Sequence, residues 1–272
     1  MTSSPKPRVL VTHWVHPEVL DLLRRECDVI ANETRETWPR DRVAALAADC
    51  DAAIMFMPDT VNEAFLARCP RLKVIAAALK GRDNFDVEAC TRRGVWLSIV
   101  PGLLTVPTAE LGIALLLAVT RHLLAGDDHV RSPAFNGWRP LLYGTGLAGR
   151  TAGLVGLGAV GQAMAKRLAA FDVKLAYADP HPAPEALAKS AGLVHMDLDE
   201  LLAASDFVFP LTHLTPETHH MIDAAALERM KRGAYLVNVG RGSLVDEAAV
   251  AKALAAGCLA GYAADVFELE DW

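Results

Sequence analysis

The stretch that decides the fold is Thr151–Gly161, TAGLVGLGAVG. Thr151–Gly156 is a short apolar run of the kind that sits inside a parallel sheet, and the amphipathic pattern Ala159–Ala170 follows it directly. Three glycines stand at the junction, Gly156, Gly158 and Gly161, in the spacing G-x-G-x-x-G. The first permits a tight turn, the second lets backbone approach a pyrophosphate, and the third lets helix and strand pack closely. The N-terminus of the helix offers free N–H groups and the positive end of its dipole to that anion. On its own the triplet also describes an ordinary strand–helix turn, so its surroundings carry the reading.

Downstream, Lys174–Ala178 reads as a second strand, and the acid Asp179 follows it, 18 residues after Gly161. A carboxylate at that spacing meets the adenosine ribose hydroxyls and repels a 2′-phosphate, which points to NAD over NADP; a solvated loop acid is the plain alternative. Strands then recur at Phe207–Leu211, Tyr235–Val239 and Ala260–Val266, with helices at Leu198–Ala203, Ala224–Met230 and Glu247–Ala256.

Upstream the same alternation appears on a smaller scale. Arg8–Val15, Ala52–Met57, Leu72–Leu79 and Val95–Val100 read as strands; His16–Arg25, Arg40–Ala48 and Val61–Arg68 read as helices. Thr105–Ala125 is expected to be one long helix, apolar on nearly every face and therefore buried. Asp127–Gly149 is expected to be irregular. The prediction is two doubly wound α/β domains with parallel sheets, a Rossmann NAD-binding domain over 105–272 and a smaller flavodoxin-like substrate domain over 1–104.

Composition is consistent with this. At 52% hydrophobic and 22% charged, the 272 residues exclude disorder. The net charge of −6 argues against nucleic acid or an anionic membrane as the main partner. The longest apolar run, Leu111–Val119, is too short to span a bilayer. Five scattered cysteines without a C-x-x-C pair predict reduced thiols, no metal centre and a cytoplasmic location.

Hydride chemistry on a small anion needs a cation to hold it and an acid–base group. Lys80, Arg241 and the pair Glu268/Glu270 fall just after expected strands, where open α/β sheets bind ligands. Each also has a plain reading: a loop lysine, a turn residue in Gly240–Arg241–Gly242, and a solvated acidic loop that includes Asp271. Met57, Leu104, Trp138 and Tyr143 read first as core or interface residues. Among the nine histidines none follows a late strand beside Glu270; His13, His16, His219 and His220 are poor candidates for the base.

With these motifs in place, the chain resembles the D-2-hydroxyacid dehydrogenase superfamily over nearly its whole length. The matching stretches are GLVGLGAVG, Asp179, Leu214–Thr218 (LTPET), Asn238–Glu247 (NVGRGSLVDE) and Ala263–Glu270 (AADVFELE). Within it the chain is most similar to the phosphonate (phosphite) dehydrogenases, through Phe56–Asp59 (FMPD), Ala78–Leu97, Val100–Glu110, Gly137–Leu147 (GWRPLLYGTGL) and Asp265–Trp272 (DVFELEDW). The resemblance implies NAD-dependent oxidation of phosphite to phosphate, with Arg241 binding substrate, Lys80 as a second cation and Glu270 orienting a catalytic histidine. It places Met57, Leu104, Trp138 and Tyr143 in the substrate pocket, and Thr108, Gly156, Gly158, Ala159, Val160, Gly161, Asp179, Leu211, Thr212, Val239 and Asp265 around the cofactor. Two cations suit a doubly charged phosphite better than a carboxylate.

An NAD-dependent dehydrogenase of a small 2-hydroxy or 2-oxo acid is the first alternative, and a non-enzymatic NAD-sensing scaffold the second. Gly102, Arg82 and His213 depart from the phosphite pattern. Family members continue past the position of Trp272 into a segment with the catalytic histidine, so the expectation is that these 272 residues alone turn over little. A homodimer built on the nucleotide-binding domain is also expected.

Overall fold

A computed structural model describes residues 5–270, so Asp271 of the expected acidic loop and Trp272 of the DVFELEDW stretch lie outside the described residues. The chain divides into two compact units, one up to Leu104 and one from Thr105.

The first unit holds a five-stranded sheet: β1 (Arg8–Val11), β2 (Asp28–Ala31), β3 (Ala52–Met55), β4 (Val74–Ala77) and β5 (Trp96–Ser98). All pairs are parallel, in the order β2-β1-β3-β4-β5. Parallel neighbours need crossovers, supplied by α1 (Pro17–Glu26), α2 (Arg40–Ala47), α3 (Glu63–Arg68) and α4 (Val87–Arg92). Leu10, Met55, Leu66 and Ile75 are fully enclosed between sheet and helices.

The second unit begins with α5 (Thr105–Thr120) and α6 (Leu123–Arg131). It continues as β6 (Thr151–Val155), α7 (Ala159–Leu168), β7 (Lys174–Ala178), α8 (Glu185–Ala191), β8 (Leu193–His195), α9 (Leu198–Ala204), β9 (Phe207–Pro210), α10 (Ala224–Arg229), β10 (Ala234–Asn238), α11 (Glu247–Ala255) and β11 (Leu259–Ala264). Its six parallel strands run β11-β10-β9-β6-β7-β8. The order reverses between β6 and β9, and ligands of open α/β sheets bind at such a switch point. Buried Phe207, Phe209, Leu154 and Leu175 fill one face, and Leu201, Leu236 and Val245 the other. These are the two doubly wound parallel-sheet domains the alternation predicts.

Four elements escape the sequence reading: β2, α4, α8 and β8. The strands β2 and β8 are edge strands of four and three residues, too short to establish a period. The helices are six and seven residues long; Asp86 caps α4 through Ala89 N, and Gly192 ends α8 in the left-handed region.

The expected helix Thr105–Ala125 is two helices, broken at His122 with φ of 51°. At the break the carbonyl of Thr120 accepts from Thr145 N (2.8 Å), and His122 Nε2 lies 3.2 Å from the carbonyl of Tyr143. An incoming strip of chain thus takes over the carbonyl the helix would have used. Nor is α5 buried all round: Ala109, Gly112 and Leu116 are enclosed, with a Cβ at Gly112 reaching 3.1 Å from Met164, while Val106 and Leu111 are exposed. The expected irregular stretch Asp127–Gly149 starts later, because α6 runs to Arg131. Among the described residues, no single helix is long and apolar enough to cross a membrane.

Candidate active site

The glycine turn between β6 and α7 is built as its spacing requires. Gly156 has φ of 99°, a region that disfavours a side chain, and a Cβ there would stand 3.0 Å from the backbone of Leu211 and Thr212. Gly161 sits against the carbonyl of Gly156, only 2.6 Å from where its Cβ would be. Gly158, the N-cap of α7, faces open space, and Ala159 and Val160 begin the helix. This cradle, with unpaired N–H groups in the first turn of a ten-residue helix, has the shape and polarity a pyrophosphate needs.

Asp179 closes the cradle from β7. One carboxylate oxygen accepts from Leu157 N (2.8 Å) and the other from His181 N (2.8 Å). Burial works against its charge, but these backbone N–H groups outweigh it and hold the acid below the usual carboxylate range. Leu211 and Thr212 complete the rim after β9, where Leu211 N donates to Val155 O at 2.7 Å. Thr108 lies in the first turns of α5, which packs on α7. The residues present fit a dinucleotide.

A second group forms at the ends of the adjacent strands β10 and β11. Fully buried Asn238 shapes the turn after β10: its Nδ2 donates to Arg241 O (2.8 Å) and its Oδ1 accepts from Gly240 N (3.1 Å). That turn presents Arg241, whose Nη1 donates to Gly240 O (2.9 Å), just past buried Val239. Gly242 lies against the backbone of Phe267 and Glu268, so close that a Cβ would overlap it. The chain after β11 is therefore drawn onto the Arg241 turn. Asp265 N donates to Asn238 O (3.3 Å), and burial, with a smaller repulsion from Glu270, pushes the Asp265 carboxyl above the usual range. Glu270 ends the exposed 3-10 turn Glu268–Glu270. Sequence reasoning missed Asn238; its signal was an asparagine two residues before a glycine at a strand end, a pattern that locks turns. It also missed the contact of Glu268 with a histidine: His220 Nε2 lies 2.6 Å from Glu268 Oε1.

The remaining candidates divide between the two units. In the first unit Lys80 follows β4 and is half-buried, Leu104 is exposed, and Met57 sits on the turn Phe56–Asp59. Buried Asp59 pins that turn, accepting from Thr12 Oγ1 (2.5 Å) and Phe56 N (2.7 Å), and Asn84 Nδ2 donates to the Asp59 carbonyl (2.7 Å). Burial raises the Asp59 carboxyl above its ordinary range. In the second unit Trp138 and Tyr143 stand 83% and 82% exposed, which excludes a core role and leaves the interface alternative of their plain reading.

Comparison with known proteins follows the same lines. Residues 113–272 match the family described as D-isomer specific 2-hydroxyacid dehydrogenase, NAD binding domain. The chain is 38% identical over 272 residues to a glyoxylate reductase of Thermococcus litoralis, covering 98% of this chain and 82% of that protein. It is 39% identical over 269 residues to a glyoxylate reductase of Thermofilum pendens, covering 97% and 79%. Among solved structures it is similar to a D-lactate dehydrogenase from Aquifex aeolicus complexed with NAD and lactic acid, at 28% identity and a TM-score of 0.83, over 96% of this chain and 77% of that one. These likenesses favour the 2-hydroxyacid reading over phosphite oxidation. The glycine cradle, the acid that closes it and the agreement over nearly the full chain converge: the protein belongs to the D-isomer specific 2-hydroxyacid dehydrogenase family.

Proposed function

We propose that the protein interconverts a small 2-oxo acid and its 2-hydroxy acid with NAD(H), glyoxylate being the first substrate to test. The observation that carries this reading is the Asn238-locked turn that holds Arg241 at the end of β10, beside the acid-bearing turn after β11. A guanidinium there offers paired donors to a carboxylate and draws electron density from the neighbouring carbonyl. When bound, the dinucleotide supplies or accepts hydride at its nicotinamide. Gly156, Gly158, Ala159, Val160 and Gly161 cradle its pyrophosphate, Asp179 takes its ribose hydroxyls, and Thr108, Leu211, Thr212, Val239 and Asp265 complete its surroundings. Glu270 orients the histidine that the family resemblance implies for proton transfer.

A second reading, oxidation of phosphite to phosphate, is favoured by one feature. Lys80 follows β4 within the stretch ALKG, the cation that the resemblance to phosphite dehydrogenases singles out. Met57, Leu104, Trp138 and Tyr143 are the pocket residues in that reading. Parallel assays of NADH with glyoxylate and of NAD+ with phosphite separate the two, and the variant Lys80→Ala lowers phosphite turnover far more than glyoxylate turnover if the second is right.

A homodimer belongs to the same proposal. Leu123, Leu124, Val130, Phe135, Trp138 and Tyr143 leave an apolar surface on α6 and the segment after it. Light scattering at micromolar concentration tests it, twice the chain mass being expected. A cytoplasmic location is proposed from the five cysteines, all of which are free thiols.

A further inference from the structure

We propose that His219, His220 and Glu268 form a binding site for a divalent transition-metal ion, Zn2+ being the cation their chemistry fits best. None of its ligands is a residue assigned to the dinucleotide or the substrate, although Glu268 backs onto Gly242 beside Arg241, and it does not depend on which substrate the protein uses. One ligand-capable atom from each of the three side chains lies within 4.8 Å of the other two. His220 Nε2 and Glu268 Oε1 already stand 2.6 Å apart, and the rings of His219 and His220 stack with centroids 4.0 Å apart.

Two of the three ligands are held from behind. The backbone of His220 is fixed in the left-handed region, φ of 52°, where its N–H donates to Ser243 O (2.7 Å). The backbone N–H of Glu268 donates to Glu247 Oε1 (3.0 Å), at the start of α11. A residue from the loop before α10 and one from the turn after β11 are thus brought face to face by interactions that do not use their metal-binding atoms. His219 is exposed at the rim, its ring stacked on that of His220.

The donor set selects the cation. Two imidazoles and one carboxylate suit Zn2+ or a neighbouring transition metal, whereas Mg2+ and Ca2+ prefer an all-oxygen shell. Three protein ligands leave the fourth tetrahedral position to water on the exposed side. Zinc–nitrogen distances near 2.0–2.1 Å require ligand atoms about 3.3 Å apart. Binding therefore needs the His220–Glu268 pair to open from 2.6 Å to about 3.3 Å, and a ring rotation at His219. The cation would tie the turn Glu268–Glu270 to the Thr215–Met221 loop. Glu270 is two residues beyond Glu268, and its side chain faces Phe267 N at 3.4 Å.

The test is calorimetric titration of the 272-residue chain with ZnCl2 in a non-chelating buffer at neutral pH, on wild type and three variants. The expected result is one Zn2+ per chain, with affinity reduced about tenfold or more in His219→Gln and in Glu268→Gln. The double variant Cys27→Ser/Cys258→Ser, which removes the two partly exposed thiols, is expected to bind like wild type. His219 is exposed, so its variant folds; a Zn2+-dependent rise in melting temperature seen in wild type and absent from His219→Gln gives a second readout. The proposal is overturned by no saturable binding below about 0.1 mM, by unchanged affinity in His219→Gln, or by binding that disappears with the cysteines.

Discussion

At the scale of single residues, charge placement decides what the two sites can hold. Two backbone N–H groups hold Asp179 below the usual carboxylate range, and in the proposed reading its charge favours NAD over NADP. Replacing it with Ala is expected to weaken NADH binding about tenfold or more and to narrow the gap between NADH and NADPH, measurable by fluorescence titration. Arg241→Lys keeps the charge but loses the paired donors, and should raise KM for a carboxylate substrate more than it lowers kcat. Asp59 behaves in the opposite sense to Asp179. Its folded-state acidity is weakened by burial, so its favourable contribution is complete below the unfolded carboxyl range, near 3.9, and is lost as pH rises through the folded value. Asp59→Asn should therefore gain stability relative to wild type as pH rises from about 4 to 7, as read by urea denaturation at each pH. The glycines and Asp179 were legible in the sequence because each obeys a fixed spacing from a strand. Asn238 and Asp59 were not, because their work is to hydrogen-bond turns whose shape only the folded chain reveals.

At the scale of elements, hydrophobic runs named every strand but β2 and β8, one at an edge of each sheet. The buried central strands read as continuous apolar runs because both faces are covered. What the sequence could not show was where a run stops. Arg8–Val15 reads as one strand, yet β1 ends at Val11, because the hydroxyl of buried Thr12 and the ring of His13 turn toward Asp59. The apolar stretch Thr105–Ala125 likewise gives no hint that Thr145 will claim the carbonyl of Thr120 and end the first helix there. The approach of the segment after β11 to the turn after β10 was equally hidden, since it depends on a missing side chain at Gly242. Gly242→Ala forces its new methyl into the backbone of Phe267 and Glu268. A cost of about 1–3 kcal/mol in unfolding free energy is expected, with a displaced Glu268–Glu270 turn that lowers Zn2+ affinity in the same variant.

At the scale of the whole molecule, each unit has a closed hydrophobic core of its own, with buried residues from Leu10 to Val95 in one and from Ala109 to Leu259 in the other. The unit from Thr105 onward, produced alone, is accordingly expected to unfold cooperatively and to bind NADH with nearly the affinity of the whole chain. The two parallel sheets follow from the alternation of runs and helices, their strand order emerges only in the fold, and the family follows from motifs confined to the second sheet's strand ends. Substrate choice was less legible: Lys80 and the GWRPLLYGTGL stretch point toward phosphite, whereas relatives 37–39% identical are glyoxylate reductases. The most direct measurement follows absorbance at 340 nm, for the chain as it stands and for the chain carrying the additional length of its relatives. NADH with glyoxylate and NAD+ with phosphite are run side by side. The account predicts NADH oxidation with glyoxylate at a kcat/KM above that for phosphite. Turnover of phosphite alone, or of neither substrate while NADH still binds, would contradict it.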